Sequence, residues 1–223
     1  MFGMILFLVG HSCDSQAKDI RVMVVDTGVD RNHIDLMPYV EPYGPYEDYD
    51  DDYGHGTHIA GIIAGAKCPY LHIISCKAFF KGAGQFDKLT YCFNRALKEH
   101  IDIVNFSGGG DQSSDEEYAI LKKVSDAGIK IVVAAGNHDK NLGSPCFGYF
   151  PACYRLPNET AVGALGQDDY KLSFSDYGIP EMKWAVGEKI FSTLPGNKYG
   201  YMSGTSQATA AYTKSLVQEM CYR

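Results

Sequence analysis

Concentrated positive charge is what this sequence most plainly lacks. Its 20 basic residues are scattered and outnumbered by 27 acidic ones, for a net charge of −7. That argues against nucleic acid as a partner, because phosphate binding needs clustered Lys and Arg. None of the seven cysteines forms a C-x-x-C pair, which excludes a zinc ribbon and a thioredoxin-type redox site. No G-x-G-x-x-G follows a strand-like run and no G-x-x-x-x-G-K-[ST] occurs, so a nucleotide-binding reading has no phosphate loop to rest on. H-E-x-x-H is absent as well. His55 and His58 stand at i, i+3 without a third ligand motif, so metal is a minor reading and His58 is expected in the core. No apolar run is long enough to span a bilayer. Asp48, Asp50 and Asp52 alternate like the start of a calcium loop. The glycine comes one residue late, at Gly54, and Ile59 stands where the closing Glu belongs. No metal or cofactor is required on this reading. A weakly bound calcium is the most that residues 39–52, expected to form an exposed acidic loop, would hold.

What is present points to a folded enzyme-sized chain. Hydrophobic residues make up 45% and charged residues 21% of the 223, enough apolar surface for a core and too few charges for wholesale disorder. Residues 21–223 read as one domain and residues 1–20 as a signal peptide or N-terminal arm. Residues 2–9 are nearly all apolar and have the length of a signal-peptide core, although the basic residues that usually precede one are missing. Seven cysteines lean towards an oxidising compartment, secreted or periplasmic. The alternative is a cytoplasmic protein with scattered buried thiols. Cys146 and Cys153 flank a short turn-rich loop and are the pair expected to bridge.

Strand-like and helix-like segments alternate along the chain. Short apolar runs at 21–25, 71–80, 101–106 and 129–135 read as buried strands, with shorter ones at 161–165 and 182–186. Helical spacing follows His55 and recurs at 88–100 and 115–127, where Asp115, Glu116 and Glu117 suit the helix dipole and Gly128 stops the helix. Residues 189–194 and 198–202 flank Pro195-Gly196-Asn197 as a hairpin. The alternation implies βαβ units, hence an α/β fold with a mostly parallel sheet.

The chemistry gathers around Gly204-Thr205-Ser206-Gln207-Ala208-Thr209-Ala210. A Gly before Thr-Ser, followed by small residues that read as helix, puts Ser206 at a helix N-terminus. There its N–H is free of the helix ladder and able to meet developing negative charge. A serine hydroxyl needs a base to take its proton. Three motifs supply partners: Asp26 in Val24-Val25-Asp26-Thr27-Gly28, His55 in Gly54-His55-Gly56-Thr57-His58, and Asn137 in Ala134-Ala135-Gly136-Asn137. Taken singly, Asp26 reads as a residue that turns the chain and Asn137 as one that caps a strand.

Together and in this order, the four motifs resemble the subtilisin-like serine proteases, the subtilases, from about residue 21 onwards. The resemblance implies a three-layer fold with helices on both faces of the sheet. It implies a serine endopeptidase in which Ser206 attacks the scissile carbonyl, His55 carries the proton and Asp26 orients His55. Asn137 and the Ser206 N–H would bind the oxyanion. A protein or peptide substrate would lie as an added strand between Gly82, Ala83 and Gly84 on one side and Ser107, Gly108 and Gly109 on the other. The chain is expected to act as a monomer. Gln207 and Ala210 stand where the family usually has Met and Pro, the insertion that forms the family's tight calcium site is missing, and the sequence is expected to lack a folding propeptide and the family's last helix and strand. Residues 147–149 fall where the resemblance implies a pocket floor. The alternative from another class is an inactive subtilase-like module that binds peptides in the same groove.

Overall fold

The structure, a computed structural model, describes residues 18–41 and 50–222. The apolar stretch 2–9, Cys13 and Asp48 lie outside the described residues.

The first strand, β1 (Ile20–Asp26), is apolar on both faces and buried almost throughout, so it needs a packed layer on each side. It pairs in parallel with β2 (Leu71–Lys77) and with β5 (Ile103–Phe106). The sheet continues through β6 (Lys130–Ala134), β7 (Glu159–Leu165) and β8 (Lys183–Val186), all parallel, in the order β2-β1-β5-β6-β7-β8. The two small strands β3 (Phe79–Phe80) and β4 (Ala83–Gly84) pair antiparallel, as do β9 (Ile190–Leu194) and β10 (Lys198–Met202).

Alternate residues of each strand feed two cores. Met23, Val25, Ile74, Val104 and Ile131 pack with Phe93 of α2 (Phe86–Lys98) and Leu121 of α3 (Asp115–Asp126). Val22, Val24, Ile73, Ile103 and Val132 pack with Ile59 and Ile63 of α1 (His55–Ala64) and with Ala208 and Val217 of α4 (Thr205–Cys221). The layering follows from the strand order. The chain steps from β1 to β2 in one direction, then back past β1 to β5 in the other. Right-handed crossovers therefore put α1 and α2 on opposite faces. The reversal falls between β1 and β5, the place where open parallel sheets hold their sites. Val25 pairs with Phe106, so Asp26 and Ser107 leave the sheet side by side.

The expected segments are all present, with shifted ends. The strand expected over 71–80 breaks after Lys77, because the chain turns through Lys81 and Gly82, both at positive φ, to pair Phe79–Phe80 with Ala83–Gly84. The helix expected over 88–100 begins two residues earlier, at Phe86, and stops at Lys98. Cys146 and Cys153 are bridged, with Cα atoms 5.1 Å apart. Cys68–Cys221 and Cys76–Cys92 are two further disulfides. Among the described residues no helix is long and apolar enough to cross a membrane.

Candidate active site

Helix α1 begins at His55 because a buried carboxylate caps it. Asp51 Oδ1 accepts from Tyr53 N, Gly54 N and Thr27 Oγ1, at 3.1, 2.7 and 2.8 Å. Its Oδ2 accepts from Thr57 N and Thr57 Oγ1, at 2.8 and 2.6 Å. Five donors and a negative charge at the start of a helix are a stable arrangement for an ion that is only 8% exposed. Asp51 was expected in an exposed acidic loop, and the structure corrects that. Lys77, buried at the end of β2, draws the loop inward by donating to Asp50 O at 2.7 Å and pairing with Asp52. Gly56 lets α1 meet the end of β1, since a Cβ there would strike Gly28 O.

These contacts put the His55 ring against Asp26. Nδ1 of His55 lies 2.7 Å from Asp26 Oδ1, and Thr27 N donates to the same oxygen at 2.7 Å. Asp26 is 2% exposed. Burial is the largest influence on His55 and favours its neutral form. The charge and hydrogen bond of Asp26, with the charge of Asp51, outweigh it and leave the His55 pKa raised. His58, one turn on, is fully buried as expected. Its Nε2 lies 3.1 Å from Ile190 O and 3.3 Å from Gly200 O, tying α1 to the β9–β10 hairpin. Burial lowers its pKa.

Ser206 is the second residue of α4, so its N–H has no partner in the helix ladder. A buried polar chain sets its position. Thr213 Oγ1 donates to Asn105 Oδ1 at 2.8 Å, Asn105 Nδ2 to Ser107 Oγ at 2.9 Å, and Ser107 Oγ to Ser206 O at 3.2 Å. The Ser206 hydroxyl donates to Ser107 O at 2.9 Å. Neither Asp51 nor Asn105 was singled out from the sequence. A polar Asn in the middle of an apolar strand was the available signal for Asn105.

Asn137 leaves the end of β6 after Gly136, whose φ is +110°. Its Oδ1 accepts from Thr205 N at 2.9 Å and Thr205 Oγ1 at 3.0 Å. These contacts hold the exposed amide by its oxygen against Thr205, the residue before Ser206. A cleft of about 210 Å³ is lined by Asp26, His55, Tyr53, Phe79, Gly82, Ser107, Gly108, Gly109 and Tyr149, among others. Gly82 and residues 107–109 thus face one another across it, whereas Ala83 and Gly84 form the exposed strand β4 beyond its rim. Among the described residues, no three His, Cys, Asp or Glu side chains group as metal ligands would.

A parallel sheet with an Asp–His pair at its switch point and a serine opening the last helix is an α/β fold of the subtilisin type. A solved cold-adapted subtilisin-like serine proteinase matches it with a TM-score of 0.78 at 26% identity, covering 91% of this chain and 77% of that one. The chain belongs to the subtilase family, whose profile matches residues 17–219. Subtilisin amylosacchariticus of Bacillus subtilis subsp. amylosacchariticus is 34% identical over 211 residues, covering 89% of this chain and 55% of its own length. The intracellular serine protease of Paenibacillus polymyxa is 34% identical over 214 residues, with 87% and 64% covered. The chain therefore spans little more than half the length of the first of these relatives.

Proposed function

We propose that this chain is a serine endopeptidase. The observation that carries the reading is the buried Asp26–His55 hydrogen bond, in a cleft also lined by Ser107, on whose carbonyl the hydroxyl of the helix-opening Ser206 rests. Ser206 Oγ attacks the scissile carbonyl while His55 Nε2 takes its proton, and Asp26 holds the imidazole and stabilises its charged form. The tetrahedral oxyanion is met by the Ser206 N–H and the Asn137 amide. Its collapse expels the amine, which takes the proton from His55. Water, deprotonated by the same imidazole, then releases the acyl group and restores Ser206.

The substrate binds as an extended strand between Gly82 and residues 107–109. All these groups come from one copy of the chain, which supports action as a monomer, and none of the steps needs a metal. The three disulfides support export to an oxidising compartment.

One observation favours a second reading, a peptide-binding module without turnover. Ser206 Oγ donates to Ser107 O rather than to His55. Catalytic hydrogen bonds in ligand-free sites commonly form only with substrate, so hydrolysis remains the better account. Labelling by a fluorophosphonate decides between them. The protein should react stoichiometrically and Ser206→Ala should not. No reaction, or a label that persists in Ser206→Ala, refutes the assignment.

A further inference from the structure

Between the ends of β5 and β6 the backbone carries no side chains at Gly108, Gly109 and Gly136; Phe79 lies against Gly108, and the ring of Tyr149 lies against Gly109 and Gly136. A Cβ built on Gly109 would lie 2.7 Å from Tyr149 Cε1 and Cζ, and one on Gly136 would lie 2.9 Å from Tyr149 Cγ. Carbon atoms in ordinary contact stay about 3.5–4.0 Å apart. The ring therefore bridges the gap from one backbone segment to the other, its hydroxyl end towards Gly109 and its root towards Gly136. It is 8% exposed yet forms part of the cleft wall.

The position matters because of what must sit beside it. Ser206 Oγ rests 2.9 Å from Ser107 O, so the carbonyl it attacks lies next to Ser107. Asn137, the residue after Gly136, receives the oxygen of that carbonyl. A substrate residue held between Ser107 and Asn137 directs its side chain into the gap bounded by Gly108, Gly109 and Gly136.

We propose that Tyr149 plugs the pocket for the side chain of the residue whose carbonyl is attacked, here P1, so that the chain cuts after Ala or Gly and discriminates against aromatic and large aliphatic residues. The inference rests on the proposed hydrolysis.

The plug is anchored from several sides. Phe150 N donates to Gly110 O at 2.8 Å and Gly110 N to Phe150 O at 2.9 Å, which fixes the ring beside Gly109. Cys153 N donates to Tyr149 O at 3.0 Å inside the loop closed by Cys146–Cys153. Next to the ring, where a Cβ on Gly136 would meet both it and Asp176 Oδ2, the fully buried Asp176 accepts from His138 N and Lys140 N, at 2.9 and 2.8 Å. A ring packed this way has no room to swing aside for a second ring of equal size. The phenol, pushed up to about 12 by burial and then by the charges of Asp176 and Asp111, brings no charge that would attract a basic P1 side chain.

The test compares tetrapeptide p-nitroanilides that differ only in P1, Ala against Phe. The unaltered protein should favour Ala by about 10–100-fold in kcat/KM, the scale on which overfilling a packed space is penalised. Tyr149→Gly should reverse the order, and Tyr149→Phe, which keeps the ring, should retain it. Equal or greater activity on Phe in the unaltered protein overturns the proposal without any variant having to fold. So does an unchanged order in folded Tyr149→Gly. Fluorophosphonate labelling, which needs no P1 side chain, separates the two claims. A labelled protein that prefers Phe loses the plug and keeps the hydrolysis. A protein that takes no label loses the hydrolysis, and calorimetry with free tetrapeptides ending in Ala or Phe then reads the pocket. Tighter binding of the Ala-ended peptide supports the plug. Tighter or equal binding of the Phe-ended peptide, or binding of neither, overturns it.

Discussion

His55 is pulled two ways. Burial pushes it towards the neutral form, and the carboxylates of Asp26 and Asp51 pull it further towards the charged form. A base must be neutral to accept a proton, so the acid limb of kcat/KM against pH should have its midpoint above about 6.5, the ordinary His value. Asp26→Asn removes the nearer charge and leaves burial dominant. That limb should then move to lower pH, and kcat should fall by about 10⁴-fold. A midpoint below 6.5 in the unaltered protein would mean that burial wins. Stability carries the same sign. The folded value lies above the unfolded one, so this pair's contribution is full below pH about 6.5 and is lost as pH rises through the folded value.

At the scale of elements, helix α1 depends on a residue outside it. Asp51→Ala would leave Thr27 Oγ1, Thr57 Oγ1 and three backbone N–H groups without their acceptor. The expected loss is at least about 3 kcal/mol, which at this chain length lowers Tm by at least about 6 °C. Asp51→Asn, which keeps one accepting oxygen, should recover part of it. A Tm within about 2 °C of the unaltered protein would show that water serves those donors equally well. Elements were legible in the sequence wherever a pattern is local. Apolar runs marked β1 and β6, the spacing of Leu89, Phe93 and Ala96 marked α2, and Gly128 marked the end of α3. Asp26, His55, Asn137 and Ser206 stood out as candidates only because their four motifs occur together and in order, since Asp26 and Asn137 taken singly read as residues that turn the chain or cap a strand. Asp51 did not stand out, because its burial depends on donors from residues 27 and 57 that no periodicity announces. The plug at Tyr149 depends in the same way on two glycines, 40 and 13 residues earlier in the chain, that meet it only in the folded state.

Across the whole molecule, Cys68–Cys221 ties the turn after α1 to the end of α4, over a sequence separation of 153, while Cys76–Cys92 spans 16. If disulfides act mainly by restricting the unfolded chain, replacing the Cys68–Cys221 pair by Ser should cost about 5 kcal/mol, and replacing Cys76–Cys92 about 3 kcal/mol. Denaturant midpoints of the two variants measure the order, and a greater loss from the shorter loop would contradict it. Neither pair was legible in the sequence: Cys68 and Cys221 meet only because α1 and α4 stack on one face, and Cys76 and Cys92 only because α2 packs against β2 on the other. That stacking bears also on time. Asp26 and His55 come early in the chain, Asn137 past its middle, and Ser206 on the last helix. On the proposed mechanism, a polypeptide growing from its N-terminus therefore holds His55 as a base before Ser206 has been added. Hydrolysis by that mechanism needs α4 docked in place, so a chain ended before Thr205 carries no nucleophile.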